Sequence, residues 1–237
     1  MRAGVLVTGR PPDGLEDSFG SYGDMVCRLL GAVRGLEKCK YYQALEGELP
    51  NSPEECDVYV ITGSAASVYD GMAWIKAAGE FCVSAHDAGS KLLGICFGHQ
   101  LIARYFGGRV EKSERGWGVG IHEYTIMRSE HWMSPPAATL ATVALHQDQV
   151  LEPPAGARVL AGSEFCPYGM LSIGDRVLTI QTHPEMSTDY AFELYEARKA
   201  VYGQAVGERA QRTLGKPHDH ELFAQWAANF LLDSTIY

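Results

Sequence analysis

Lys91-Leu-Leu-Gly-Ile-Cys-Phe-Gly-His-Gln100 is the stretch of sequence that decides the fold. Its apolar residues 92–95 predict a buried strand, and a pattern with helical spacing follows. Between the two lies Cys96, flanked by Gly94 and Gly98. A residue on a sharp strand-to-helix turn is held in a strained backbone conformation, and it needs small neighbours that let the chain pass. The stretch therefore predicts a turn with Cys96 at its tip.

Cys96 on such a turn is a candidate nucleophile. The N-terminus of the following helix offers unpaired N–H groups and the positive end of the helix dipole, and both favour a thiolate. The alternative is a buried structural cysteine, which is the usual fate of a free cysteine. The neighbouring glycines and the change from strand to helix favour the reactive residue.

The composition is that of an ordinary globular protein. The chain has 237 residues, of which 46% are hydrophobic and 21% charged, so we expect one domain over residues 1–237. A net charge of −9 argues against nucleic acid or an anionic membrane as partner. The six cysteines show no metal-ligand spacing, and we expect neither a metal nor another cofactor. The sequence shows no membrane-spanning run and no signal peptide, which predicts a cytoplasmic location.

The first half of the chain alternates strands and helices. Strands are predicted at residues 3–8, 57–62 and 91–95, and helices at residues 17–33, 73–88 and 99–106. This order predicts an α/β fold, a three-layer sandwich with a mostly parallel central sheet. Reactive residues in such sheets lie at the carboxyl ends of the strands, so Gly63 and Cys96 are expected to share one crevice.

The second half indicates shorter strands. Partly alternating segments separated by turn residues predict antiparallel or mixed strands at residues 118–126, 141–145, 158–162, 169–173 and 176–181. We expect them to form a smaller mixed or antiparallel sheet. Two closing helices are predicted at residues 188–201 and 221–232.

His183 and Glu185 are the candidate partners of Cys96. A thiolate nucleophile needs a base, and the base needs an orienting group. In Gln181-Thr-His-Pro-Glu185 both side chains follow a predicted strand, and Pro184 stiffens the turn. A lone histidine at a strand end is more often a packing residue, but the nearby carboxylate and the cysteine turn favour a catalytic one. His99 belongs to the start of a helix, and we do not expect it to be the base.

Five segments carry a resemblance to a known family: residues 61–70, 94–100, 116–120, 146–150 and 181–185. Together they resemble the class I glutamine amidotransferases, whose catalytic triad is Cys-His-Glu. The details are similar to the stand-alone branch related to the amidotransferase part of GMP synthase. The resemblance implies a flavodoxin-like sheet of the class I amidotransferase type.

The resemblance also implies a mechanism. Cys96 would attack the side-chain amide of L-glutamine, His183 would transfer the proton, and Glu185 would orient His183. A γ-glutamyl thioester would form, ammonia would leave, and water would complete the hydrolysis. The backbone N–H groups of Gly63 and Phe97 are the predicted donors to the tetrahedral oxyanion.

Further residues are expected to bind the substrate. Gln100 lies one helical turn after Cys96, and its amide is expected to point back towards the same crevice. By resemblance it contacts the substrate glutamine, while His146, Gln147 and Asp148 contact its α-amino and α-carboxylate groups. Each of these residues also has an ordinary alternative as a polar surface residue.

Three functions remain open at this point. The first is a glutaminase subunit whose ammonia goes to a separately encoded synthase. The second is a stand-alone γ-glutamyl peptidase or hydrolase that acts on glutathione-like compounds through the same thioester. The third is a non-catalytic interaction protein, which the intact Cys96, His183 and Glu185 disfavour. Gln100 and the cysteine turn favour glutamine as the substrate.

Overall fold

The structure is a computed structural model that describes residues 1–31 and 38–233. Its strands are β1 Ala3–Leu6, β2 Cys39–Tyr42, β3 Val58–Ile61, β4 Lys91–Ile95, β5 Arg109–Lys112, β6 Gly118–Ile126, β7 Thr139–His146, β8 Asp148–Glu152, β9 Ala157–Gly162, β10 Met170–Ile173 and β11 Val177–Ile180. Its α-helices are α1 Leu15–Phe19, α2 Tyr22–Gly31, α3 Ala73–Asp87, α4 Phe97–Tyr105, α5 Thr188–Tyr202, α6 Gln204–Gln211 and α7 His220–Leu232. Short 3-10 helices span Ala44–Glu46 and Pro53–Glu55.

Within the described residues, nine strands form one sheet in the order β2-β1-β3-β4-β11-β10-β9-β6-β7. The strands from β2 to β11 are parallel, and those from β11 to β7 are antiparallel. A separate antiparallel pair joins β5 to β8. The predicted α/β fold with a parallel central sheet and a smaller antiparallel sheet is confirmed. Most antiparallel strands of the second half extend the large sheet, because β11 pairs with β4 on one side and β10 on the other.

The two faces of the sheet are covered by different helices. Leu93 and Ile95 of β4 pack in one cluster with buried residues of α2 and α7. Leu92 points the other way and packs with residues of α3 and α4. This alternation is that of a strand buried on both faces, and each large apolar side chain buried in this way contributes about 1.5–3 kcal/mol. The central strand that precedes Cys96 is therefore fixed from both sides.

The helix predicted at residues 17–33 is two helices. Gly20 ends α1 with a positive φ of 83°. Ser21 and Asp24 then form reciprocal side-chain to backbone hydrogen bonds of 2.8 and 3.1 Å that begin α2. A capped start directly after a left-handed glycine separates the helices, although the apolar spacing continues across the break. The predicted end at Val33 lies outside the described residues.

Four elements were not predicted from the sequence. β2 and β5 are short and carry exposed charged side chains, which hide the apolar alternation. β8 begins in the polar segment that was predicted to bind substrate and for which no strand was predicted. α6 follows α5 after Gly203 and packs against β6, and its low apolar content gives little periodic signal. The predicted helix 99–106 begins earlier, at Phe97.

The turn at Cys96 has the predicted sharp geometry. Cys96 has φ 51° and ψ −99°, and no other non-glycine residue in the described ranges has a positive φ. A β-carbon on Gly94 would lie 2.7 Å from the carbonyl carbon of Gly98, and one on Gly98 would lie 2.4 Å from the oxygen of Ile61. The two glycines therefore let α4 start directly against β3 and β4.

None of the helices in the described ranges combines the length and apolar character needed to cross a bilayer.

Gly98→Ala is expected to lower the free energy of unfolding by about 3 kcal/mol, because the added methyl would overlap the Ile61 backbone oxygen. Urea unfolding followed by circular dichroism measures the change. Gly215→Ala is the control: nothing lies within 4 Å of its β-carbon position, and we expect a change under about 0.5 kcal/mol. Equal, small effects of both substitutions would contradict the packing argument.

Candidate active site

Three parallel strands bring the candidate residues to one edge of the sheet. The register aligns the carboxyl ends of β3, β4 and β11 to within one residue. The backbone N–H of Cys96 donates to the carbonyl of Ile180 at 2.8 Å, which fixes the turn to β11. Gly63, Cys96 and the segment that begins at Gln181 therefore meet where parallel strands end, as the sequence predicted for Gly63 and Cys96.

His183 lies between Cys96 and Glu185. Its Nδ1 is 2.7 Å from Oε1 of Glu185, and the two side chains are only 5% and 2% exposed. The backbone N–H of His183 donates to the carbonyl of Val143 at 2.6 Å, so β7 holds the loop from the antiparallel side. With Nδ1 engaged by the carboxylate, Nε2 is left for the thiol of Cys96, with which the imidazole interacts.

The electrostatics of this group favour an imidazolium. Burial by itself lowers the pKa of His183, but the negative charges of Cys96 and Glu185, and hydrogen bonds to both, outweigh it. The pKa of His183 consequently lies well above its ordinary value. A positive imidazole beside a cysteine stabilises the thiolate, which is the nucleophilic form.

The backbone of Gly63 faces the catalytic side chains. A β-carbon at this position would lie 2.8 Å from Cε1 of His183 and 3.9 Å from the β-carbon of Cys96. Behind it, the Thr8 hydroxyl is 2.9 Å from the carbonyl of Thr62 and 3.2 Å from that of Gly63. These contacts fix the peptide groups of the loop, so the absence of a side chain at Gly63 leaves room for a substrate.

A cavity of about 240 Å³ opens onto Cys96 and His183. The other predicted site residues that line it are Gly63, Gln100, His146, Gln147 and Asp148. Glu185 is not in the wall, because it lies behind His183. The side chain of Phe97 is also outside, packed against Trp74 with ring centroids 5.4 Å apart. Trp117 packs on Tyr202 and also lines the cavity.

His146 and Asp148 form the far wall of the cavity. His146 Nδ1 is 3.2 Å from the carbonyl oxygen of Asp148, and burial lowers the pKa of this histidine to about 3. It is therefore a neutral donor. The Asp148 carboxylate accepts a hydrogen bond of 2.6 Å from the Ser67 hydroxyl. The carbonyl of Gln147 accepts a bond from the N–H of Ser113, which ties the wall to the segment after β5.

The other histidine near the turn has a structural position. His99 is fully buried, its Nδ1 is 2.8 Å from the Thr179 hydroxyl, and burial lowers its pKa to about 3. It does not line the cavity. No group of three or more His, Cys, Asp or Glu side chains in the described ranges is arranged to hold a metal ion.

Comparison with known proteins decides the family. The sequence matches the family described as Glutamine amidotransferase class-I over residues 15–193, a region that includes Cys96, His183 and Glu185. The chain belongs to the class I glutamine amidotransferase family.

Two relatives and one solved structure show how far the similarity extends. Gamma-glutamyl peptidase 3 of Arabidopsis thaliana is 30% identical over 228 residues, which cover 92% of this chain and 91% of that protein. The glutamine-hydrolyzing GMP synthase of Aeropyrum pernix is 30% identical over 201 residues, which cover 79% of this chain but 35% of the synthase. A glutamine amidotransferase structure from Thermotoga maritima matches the fold with a TM-score of 0.73, at 17% identity, over 98% of this chain and 99% of that one.

Gln181 contacts Cys96, the candidate nucleophile, and no role was predicted for Gln181 from the sequence. Its Nε2 lies 3.6 Å from Sγ of Cys96, and its Oε1 accepts a 3.2 Å hydrogen bond from Nε2 of Gln100. Gln100 also donates to the carbonyl of Asp148 at 2.9 Å. The side chain predicted to bind substrate directly is therefore held between the far wall and Gln181. Strand register is the signal that locates Gln181, because it follows the strand beside Cys96.

Glu185→Gln is expected to lower the pKa of His183, because one of the two charges that raise it is removed while burial remains. NMR titration of the labelled imidazole measures the shift. A raised folded-state pKa stabilises the protein below the unfolded value of about 6.5, and this stabilisation is lost as pH rises through the folded pKa. In Glu185→Gln the folded-state pKa of His183 is lower, so this stabilisation should be fully lost at a lower pH than in the wild-type protein.

Glu193→Gln is the control for this titration, since Glu193 is exposed on α5. It should leave the His183 titration unchanged. An unchanged pKa of His183 in Glu185→Gln as well would rule out the carboxylate as a cause of the shift.

Gln181→Met is expected to reduce kcat about tenfold with a smaller effect on KM, because it removes the amide contact to the thiol and keeps the volume. The rate of alkylation of Cys96 by iodoacetamide should also change. Gln204→Met, at the exposed start of α6, is the control and should change neither quantity. Wild-type kinetics in Gln181→Met would show that the contact has no part in positioning the thiol.

Proposed function

We propose that this protein is a thiol hydrolase that cleaves the γ-amide bond of a γ-glutamyl compound through a thioester on Cys96. The observation that carries the proposal is the buried line from Cys96 through His183 to Glu185, open on one side to a cavity. Family membership supports it, since the matched region contains all three residues. A fold kept only for interaction would not require a charged pair with so little exposure.

The chemistry has two steps. In the first, Sγ of Cys96 attacks the γ-carbonyl carbon, the carbon–nitrogen bond breaks, and His183 gives its proton to the departing nitrogen. In the second, His183 takes a proton from water, the resulting hydroxide attacks the thioester, and glutamate leaves as the thiol reforms. Glu185 holds His183 in one tautomer and supports its positive charge in both steps.

The oxyanion of each step needs donors beside Cys96. We propose the backbone N–H groups of Gly63 and Phe97. Phe97 is the first residue of α4, where N–H groups have no partner within the helix. Gly63 leaves space for a carbonyl next to the thiol, and the Thr8 contacts hold its loop. Preorganised donors of this kind are worth about 10²–10³ in rate.

The far wall fits the amino-acid end of a γ-glutamyl group. Lys112 of β5 and Asp148 of β8 are partners in the strand register, and both line the cavity. A cation and a carboxylate side by side match an α-carboxylate and an α-amino group. We propose that His146, Gln147 and Asp148 bind this end, with Lys112 as an additional contact, while Gln100 holds the wall in place.

Two leaving groups are consistent with this chemistry. Glutamine would release ammonia, and the match to a part of the Aeropyrum pernix GMP synthase supports this candidate, in which a separately encoded synthase would use the ammonia. A γ-glutamyl peptide would release an amine. Two observations support the peptide: the similarity to Gamma-glutamyl peptidase 3 spans nearly all of both chains, and four residues of α5 line the cavity in addition to the proposed glutamyl-binding residues.

We further propose that residues 1–237 act as one domain in the cytoplasm. β11, from the second half, lies between β4 and β10, so one sheet joins both halves of the described chain. All six cysteines are free thiols, which suits a reducing compartment.

Cys96→Ala is expected to reduce the hydrolysis of every γ-glutamyl substrate by about 10⁴-fold or more, and His183→Ala nearly as much. Glu185→Gln should keep part of the activity. The measurement is a substrate panel that follows ammonia release from glutamine and amine release from γ-glutamyl peptides. Cys27→Ala is the control, because Cys27 lies on α2 outside the cavity. Appreciable turnover in Cys96→Ala would exclude it as the nucleophile.

A further inference from the structure

The position of the leaving group follows from the position of the acid. This step rests on the proposed function, in which His183 protonates the departing nitrogen. That nitrogen must come within hydrogen-bond distance of the imidazole. Whatever is attached to it lies outside the glutamyl end, for which Lys112 and Asp148 are proposed, and needs further room in the same cavity.

One face of α5 lines this cavity. Leu194, Arg198, Val201 and Tyr202 all contribute, at the i, i+4, i+7 and i+8 spacing of a single helical face. Trp117 closes the wall from β6's side, with its ring centroid 5.8 Å from that of Tyr202. The space for a leaving group is thus apolar and aromatic, with one cation in it.

Arg198 makes no ion pair with any acidic side chain of the described residues. On the same helix Glu196 pairs with Lys199 at 2.5 Å, so this carboxylate is already engaged. The helical neighbours of Arg198 one turn away are Leu194 and Tyr202. A half-buried guanidinium in an apolar wall is stabilised when an anion pairs with it. A carboxylate matches its planar set of N–H donors best.

The charge of Arg198 is directed at the cavity. Burial raises the pKa values of Tyr22 and Tyr202, and the positive charge of Arg198 offsets part of the rise in each. Both tyrosines line the cavity. A ligand in this cavity would therefore experience the positive charge of Arg198 as well.

We propose that Arg198 binds a carboxylate on the departing amine, so that the preferred substrates are γ-glutamyl amino acids and short γ-glutamyl peptides with a free C-terminal carboxylate. Ammonia, the leaving group from glutamine, carries no carboxylate that Arg198 could bind. The far wall then recognises the glutamyl end, and α5 selects what is attached to it.

The test compares γ-glutamylalanine with its C-terminal amide, two substrates that differ in the charge at this one position. The wild-type protein should favour the free acid by about 10–100-fold in kcat/KM, the value of a charge-assisted hydrogen bond pair. Arg198→Met should remove this preference by lowering kcat/KM for the acid only. Arg198→Lys should restore part of it, since the charge returns without the planar fork.

Arg209→Met is the matched control, because Arg209 is exposed on α6 and outside the cavity. It should keep the wild-type preference. Equal losses on the acid and the amide in Arg198→Met would overturn the proposal, since they would mean a structural role or contact with the glutamyl carboxylate. No loss on either substrate would overturn it as well.

A binding measurement separates this inference from the proposed function. Calorimetry on Cys96→Ser, with and without Arg198→Met, gives the dissociation constants of the acid and the amide without turnover. A preference for the acid that depends on Arg198 supports the carboxylate site even if the wild-type protein hydrolyses neither compound. If both compounds are hydrolysed and the acid and the amide have equal dissociation constants, the proposed hydrolase function is retained and the Arg198 carboxylate site is excluded.

Discussion

The positive φ of Cys96 is the constraint on which the rest of the site depends. An L-residue in this region costs about 1–3 kcal/mol, and it persists only where the surroundings fix it. Gly94 and Gly98 allow α4 to start against β3 and β4. The hydrogen bond from the backbone N–H of Cys96 to the carbonyl of Ile180 anchors the turn to β11. The strain is thus supported by the most buried part of the sheet, which presents the thiol in one orientation.

The same sheet supplies the electrostatics. Because β11 lies directly beside β4, the loop that follows it carries His183 to Cys96, and β7 holds the loop from behind. Burial would make the imidazole neutral, whereas Cys96 and Glu185 together keep it charged. The side-chain amide of Gln181, which follows the end of β11, contacts the thiol of Cys96. Cys96, His183 and Glu185, the proposed nucleophile, base and orienting carboxylate, are consequently one buried unit that opens onto the cavity.

Some of this could be predicted from local sequence. The glycines around Cys96 indicate a sharp turn, and only Pro184 separates His183 from Glu185, so both observations follow from short segments. The two strands that form the small sheet could not be located from the sequence, because β5 and β8 have exposed, charged residues and gain their order from pairing with each other. The break between α1 and α2 could not be predicted either, because the apolar spacing continues across Gly20 and does not reveal its positive φ.

The sequence by itself determined the family, and its glycine-flanked Cys96 and its His-Pro-Glu segment supplied the residues of the proposed chemistry. Only the tertiary structure decided what surrounds that chemistry. Gln181 meets Cys96 through strand register, and Arg198 reaches the cavity because α5 packs against β6 and β7. Both are contacts between segments distant in the chain, and no local pattern encodes which distant segment a side chain will face.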